Sequence, residues 1–497
     1  MGNNGHCEVF HYVHKQESAM RLFFTCLFCL IPVFYTLATE KSEFFVTDSI
    51  LEPAALNFVS GQFGTCINGQ TFQIEAVTSY NNWQYATYFD AKKRLCVARR
   101  ELPTGPWQRI TFDDYTINHT DVHNVAVIGI CPRDGTIHLA FDHHGHPLRY
   151  RISIPNAATN PKQTQWTTQL FSPTTSELVS GQQITRVTYP AFVNSPNGKL
   201  ILFYRTGGSG NGQSQFAEYD PTNTPAWTLK NIFIDSKGDY NSSSTRNAYH
   251  NGFDFTADGK LHTTWVWREG ADMGQWGILN CHDLMYAYSP DEGKTWHNNV
   301  NKPIAVAGQS PINIDSPKLC VFEVRWRWGL MNQLTQTVDS KGRVHVILWH
   351  HPPDADVLSR DQNTWRYFHY WRDMDGQWHR QQLPCFGRKP SLLAGQNDNL
   401  ILVFTKPDTL VYHQLDPGGP LHIFTASADN QWKNWSEVFR SEKHFVGEPR
   451  VDKQRWLHNG TLSIYAQEAP PSPGLPSHLH VMDFQGSAEF TEMPISK

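Results

Sequence analysis

The 497-residue sequence predicts an all-β chain folded as a seven-bladed β-propeller of four-stranded antiparallel blades. Three observations predict it: a turn-and-strand pattern that recurs seven times, an Asp-box turn, and no amphipathic helical stretch of convincing length between the repeats. Composition agrees. Hydrophobic residues make up 39%, aromatics 13% and charged residues 18%, the profile of a strand-rich globular chain and not of a disordered one. The net charge of −4 leaves no basic footprint for nucleic acid, so a polyanion would have to be held by a local basic pocket.

Taken in order, the repeats are NNWQYATYFD, RDGTIHLAFDHH, PNGKLILFYR, ADGKLHTTWVWR, SKGRVHVILWHH, NDNLILVFTK and HNGTLSIYAQ, with turns at Trp83, Gly135, Gly198, Gly259, Gly342, Asp398 and Gly460. Asn-Gly and Asp-Gly turns flanked by apolar alternation are hairpin signals. A step of roughly 50–80 residues is too long for a solenoid coil and suits a propeller blade with generous loops. SPDEGKTW, from Ser289 to Trp296, is an Asp box, and SADNQWKNW from Ser427 is a degenerate copy. Such a box marks a fold, not a catalyst. The long interval between Gly259 and Gly342 leaves open a six-bladed ring with an added sandwich.

Ahead of the repeats, MRLFFTCLFCLIPVFYTLATE begins at Met20 and Arg21 and runs uncharged to small residues at Thr36 and Ala38. This reads as a signal peptide region over residues 1–38, with initiation at Met1 or Met20, and leaves 39–497 as a single propeller domain. A retained anchor is the other reading, since about 17 apolar residues is the lower limit for spanning. Sequons at Asn118, Asn241, Asn434 and Asn459 agree with a secreted, extracellular glycoprotein. Cys66, Cys96, Cys131, Cys281, Cys320 and Cys385 are then permitted disulfides whose pairing the spacing does not assign. No membrane partner is expected, and the chain is expected to be a monomer.

The stretch AFDHHGHPLRY, residues 140–150, ends an apolar strand in three histidines and an aspartate. Residues equally far from a hairpin turn face one another. Around Gly135 this places His123 and His143 at the open end of one hairpin; around Gly198 it places Tyr189 and Arg205 at the open end of the next. Ring closure would bring these ends to one face. Glycoside hydrolysis asks for two carboxyl groups about 5–10 Å apart, and only Asp142 stands near. β-Elimination from a uronic acid asks for other groups. A cation neutralises the C6 carboxylate and its enolate-like charge, a base removes the C5 proton, and an acid protonates the oxygen leaving C4. Tyr and His can share the last two tasks, since a nearby cation lowers a tyrosine pKa.

The ordered elements DVHN, FDHHGHPLRYR, TYPAF and FYRTGGSGNG, with HTTWVWRE and CHDLMYAYSPDEGKTW, resemble those of the secreted seven-bladed propeller polysaccharide lyases. That group includes ulvan lyases and fungal L-rhamnose-α-1,4-D-glucuronate lyases, and the similarity covers about residues 60–470. It implies a catalytic set of His123, Tyr189, Arg205 and His143, with the substrate carboxylate against the arginine. Tyr189 is favoured as base and His123 as its acid partner, with the reverse left open. His143 would support the carboxylate or leaving group, and its neighbour His144 lines the cleft or takes its place. Tyr249, His250, Arg268, His350 and Arg388 sit at corresponding ends of other hairpins as substrate-groove residues. The implied reaction is cleavage of rhamnosyl-α-1,4-glucuronate linkages, in arabinogalactan of the gum arabic type or in ulvan, leaving a 4,5-unsaturated uronate.

No organic cofactor is expected. A structural divalent cation is conceivable, either Zn²⁺ on His262, Cys281, His282 and His350 or Ca²⁺ on oxygen ligands at the centre of the ring. Two other functions compete. A sialidase-like exo-glycosidase would release an ordinary reducing sugar, and a lectin would bind glycan by aromatic stacking without turnover.

Overall fold

The computed structural model describes residues 45–271, 280–355, 364–395, 397–408, 416 and 418–485. The signal peptide expected over 1–38 lies outside them. Strands dominate and follow one another as antiparallel sheets. Val77–Tyr80, Trp83–Phe89, Arg94–Glu101 and Gln108–Thr116 form a four-stranded meander. Ala126–Ile130, Ile137–Phe141 and Tyr150–Ile152 form a three-stranded sheet. Val187–Asn194, Leu200–Gly208, Asn211–Tyr219 and Trp227–Ile234 come next, with His144–His146 paired to the first of them. A larger sheet is built on Ser243–Phe255, Leu261–Glu269 and Cys281–Ser289, and Thr335–Val338 opens another four-stranded meander that ends at Trp378–Gln382.

The last sheet has seven strands and corrects the expectation of uniform four-stranded blades. Its cause is Trp435–Val451, a 17-residue strand that pairs with Gly419–Ala426 through its first part and with Leu462–Glu468 through its second. The register shifts between Val446 and Arg450, where Gly447 takes φ +72° and a Cβ would lie 2.6 Å from the Gly69 carbonyl oxygen. Two hairpin sets are thereby fused into one sheet. A second departure is at Gly460. Its turn is not a simple hairpin but the end of a helix, Lys453–Asn459, capped by the Asp452 carboxylate and closed by Gly460 at φ 70°.

The sheets form a closed circle. Val77–Tyr80 touches Ala126–Ile130, which touches Val187–Asn194; Asn211–Tyr219 of that third sheet touches Ser243–Phe255, which touches Thr335–Val338, which touches Ser391–Ala394. First strands therefore face the centre. The last sheet returns to the first through Gln84 Nε2 on Asp452 Oδ2 at 2.8 Å and the Tyr465 hydroxyl on the Thr87 carbonyl at 3.3 Å. Phe45–Ala55 completes the last sheet by pairing antiparallel with Ser477–Phe484.

At the Asp box the Asp291 carboxylate accepts from the Thr295 N–H at 2.7 Å and its hydroxyl at 2.9 Å. Trp296 is fully buried and stacks on Phe233 at 4.9 Å. The motif is a packing device. All six cysteines among the described residues are unpaired, and the four sequon asparagines are exposed. Among the described residues no helix is long and apolar enough to cross a membrane.

Candidate active site

First strands start, and second strands end, on one face of the circle, and the candidate residues lie at those ends. The hairpin around Gly135 pairs Ala126 with Phe141. Continuing that register by three pairs sets His123 opposite His144, not His143. This corrects the expected partner. A shift of one residue reverses the face a side chain takes, and His143 turns inward, 1% exposed, its Nε2 accepting from the Arg149 N–H at 2.8 Å. Burial pulls its pKa down to about 3. The rings of His123 and His144 instead stack at 4.4 Å.

Between them stands Asp121, which the sequence did not single out. Its Oδ1 meets His123 Nδ1 at 2.6 Å and its Oδ2 meets His144 Nδ1 at 2.6 Å. Burial alone would raise the Asp121 carboxyl, but the hydrogen bonds from both imidazoles outweigh it and hold the group well below the usual carboxylate range. His123 moves down to about 4, because burial and the neighbouring His144 outweigh the pull of Asp121. Near neutral pH His123 is therefore uncharged. With its Nδ1 proton directed to Asp121, Nε2 carries the free lone pair.

Tyr189 reaches this pair through strained backbone. It takes φ 55° just before Pro190, where the register shifts between Thr188 and Ala191. A bulge with an aromatic residue in the left-handed region re-aims a side chain at a local cost. The ring lies 6.0 Å from His123, 6.1 Å from His144 and 4.7 Å from Phe72. Burial, reinforced by Tyr249, drives its phenol well above the usual tyrosine value.

Arg205, paired with Thr188 across the hairpin, sits 5.0 Å from the Tyr189 ring and 5.5 Å from that of Tyr249. Its guanidinium is buried at 5% exposure, yet Nε and Nη1 have no protein partner. An unpaired buried cation is costly to a fold, so it is the strongest single sign of an anionic ligand. Arg268 lies 5.9 Å from the Tyr249 ring and donates to Asn332 at 2.8 Å. Burial raises the Tyr249 phenol, but Arg268 and Arg205 outweigh it and the net direction is down. Lys389, also missed in the sequence, is 7% exposed, and burial pulls its ammonium below the usual lysine value.

The remaining groove candidates divide. Tyr249 and Arg268 join the cluster, and His250, half-buried, lines a small cavity with Tyr189 and Arg205 while bonding Ser214 Oγ at 2.9 Å and Thr263 Oγ1 at 3.0 Å. Arg388 is drawn to Asp416 at 3.4 Å. His350 lines a separate cleft of about 1300 Å³, together with Arg325, Trp326, Arg327, Trp328 and Arg380. There the Arg327 guanidinium stands 4.6 Å from the Trp326 ring and that of Arg380 4.8 Å from Phe322. The set considered for a metal is not brought together: among the described residues no cluster of potential metal ligands holds His262, Cys281, His282 or His350, which bond Tyr286, Asn332, Glu269 and Tyr370 respectively.

Comparison with known proteins relates the chain to others of the same fold. The ulvan lyase, long isoform, of Pseudoalteromonas sp. (strain PLSV) is 23% identical over 93% of this chain and 49% of its own length. That of Alteromonas sp. is 23% identical over 82% of this chain and 42% of its own. The chain thus spans about half the length of the curated relatives it matches. Among solved structures, the polysaccharide lyase Uly1 shares the fold at a TM-score of 0.68 and 17% identity, covering 89% of this chain and 99% of that one. An ulvan lyase bound to -[GlcA(1-4)Rha3S]- shares it at 0.63 and 13% identity, covering 88% and 95%. A model of the BNR repeat-containing family matches residues 83–385, and the chain belongs to that family.

Proposed function

We propose that this chain is a secreted polysaccharide lyase that cleaves rhamnosyl-α-1,4-glucuronate linkages by β-elimination, leaving a 4,5-unsaturated uronate. The observation that carries the proposal is Arg205, a buried guanidinium with unpaired nitrogens, set between two phenols beside a neutral imidazole. A uronate C6 carboxylate supplies the missing acceptor. Its neutralisation acidifies C5–H and stabilises the enolate-like charge that follows.

Charge states favour a reversal of the expected acid and base. His123 Nε2, uncharged with its lone pair free, accepts the C5 proton. The electron pair released forms the C4–C5 double bond as the C4–O bond breaks. Tyr189, held protonated, gives its phenolic proton to the departing oxygen. Solvent then returns a proton to the phenolate and removes one from the imidazolium. Asp121 fixes the imidazole tautomer and steadies its charge as it forms.

Two features of the relatives support the substrate class. The two curated relatives are ulvan lyases, and an ulvan lyase among the solved structures is bound to a glucuronate–rhamnose segment. The separate cleft, with guanidinium and indole groups side by side, suits an anionic sugar: arginine forks match carboxylate or sulfate, and ring faces take the C–H face of a pyranose. The seven-blade count belongs to the same proposal, with Trp435–Val451 serving two successive blades. Incubation with ulvan and with gum arabic side by side tests the reading. A product with ultraviolet absorbance from an alkene conjugated to the carboxylate supports it on whichever glycan yields it. Failure on both glycans removes the lyase reading.

A further inference from the structure

We propose that Glu468, His478 and His480 form a binding site for a late first-row divalent cation of the zinc class. It stands on the seam where the strand Phe45–Ala55 closes the circle, and it is independent of the lyase reading. His478 and His480 are two apart on the strand Ser477–Phe484, so both side chains take one face. Glu468 ends the neighbouring strand, Leu462–Glu468, which pairs Gln467 with Leu479. One ligand atom from each of the three lies within 4.8 Å of the others. Modest rotation of His478, which is exposed, brings them to the roughly 2.0–2.2 Å bonds zinc requires.

The second argument is the setting of His480. His480 is fully buried and lies between two carboxylates, with Nδ1 2.7 Å from Asp48 Oδ1 and Nε2 3.0 Å from Glu468 Oε2. With Nδ1 on Asp48, Nε2 points at the Glu468 oxygen, the place a divalent cation held by both groups would take. The His478 Nδ1 stands 3.5 Å from that same Glu468 oxygen, too far for a good hydrogen bond and on the side a metal would occupy. Asp48 then orients the ring from its far nitrogen, as a carboxylate commonly does for a metal-bound histidine. Two imidazoles and one carboxylate select Zn²⁺, Co²⁺, Ni²⁺ or Cu²⁺ over Ca²⁺ and Mg²⁺. Lys443 opposes the metal, with Nζ 3.5 Å from Asp48 and 3.9 Å from Glu468, but its side chain is 49% exposed and free to swing out.

The test uses the full chain freed of metal and titrated with Co²⁺, followed by visible absorption, and with Zn²⁺, followed by calorimetry. The proposal expects one equivalent of each to bind at the seam and Zn²⁺, but not Ca²⁺, to raise the unfolding temperature. His478→Ala removes an exposed ligand without disturbing the packing and should abolish that equivalent. Lys443→Gln should tighten it severalfold, and Asp48→Asn should weaken it about 10–100-fold. No Zn²⁺ binding, or stoichiometric binding that His478→Ala leaves unchanged, would overturn the proposal.

Discussion

Arg100 and Arg205 are both buried arginines, one at the closure of the circle and one at the candidate site, and their surroundings differ. Arg100 is 1% exposed and every side-chain nitrogen is used: Nε on Gln84 at 2.9 Å, Nη1 on Ser49 at 2.9 Å and Nη2 on Asp483 at 2.7 Å. Asp483 in turn accepts from Arg455 at 2.6 Å and Ser463 at 2.7 Å. Arg205 is nearly as buried but keeps two nitrogens without a protein partner. A saturated charge network holds a fold together, whereas an unsaturated one weakens it and persists where a ligand completes it. By that criterion Arg100 is structural and Arg205 is functional.

The largest expected effect breaks the seam. Asp483→Ala strands Arg100 and Arg455 and should cost about 3–5 kcal/mol of stability, read from urea unfolding, while turnover per folded molecule stays at the parent value. Arg205→Met is the mirror case. It should lower kcat by about 10²–10³ and leave the unfolding midpoint unchanged or raised, since no native ion pair is lost. Equal damage to stability from both variants would erase the distinction. Tyr189→Phe, which keeps the ring and its contacts with Phe72 and His123, should likewise lose about 10²-fold or more in kcat.

Smaller effects sharpen the site. His123 must be uncharged to accept a proton, so kcat/KM should fall as pH drops through about 4. Because its folded pKa lies below the ordinary histidine value, the unfolded chain binds that proton first. This contribution to stability is therefore complete above the ordinary value and lost as pH falls toward about 4. Asp121→Asn removes a group that raises the His123 pKa, so the acid limb should move to lower pH while the rate drops about tenfold, in line with an orienting partner. An unmoved limb would detach Asp121 from His123.

Much of this was legible from residue pattern. Glycine turns flanked by alternating apolar residues marked the hairpins, and counting outward from Gly135 and Gly198 brought His123, Tyr189 and Arg205 near one another. Register settled what counting did not. A single position separates His143 from His144, and only the Ala126–Phe141 pairing selects the second. The bulge at Tyr189 was hidden for the same reason: an extra residue in a strand leaves alternation looking intact. Asp121 and Lys389 carry no pattern signal, because an isolated charge next to a strand most often faces solvent. The helix Lys453–Asn459 did have signals, Asp452 at its start and Gly460 at its end, but the repeat at Gly460 read more strongly as a hairpin.

Elimination and hydrolysis differ in whether water oxygen enters the product, and this tests the central claim most directly. Digestion of ulvan or gum arabic in heavy-oxygen water, followed by mass analysis of the oligosaccharides, separates the two routes. An Arg205-assisted elimination predicts chains ending in an unsaturated uronate, one water lighter than hydrolysis products, with no heavy oxygen at the new ends, and no such products from Arg205→Met. Saturated chains bearing heavy oxygen at a new reducing end would contradict it.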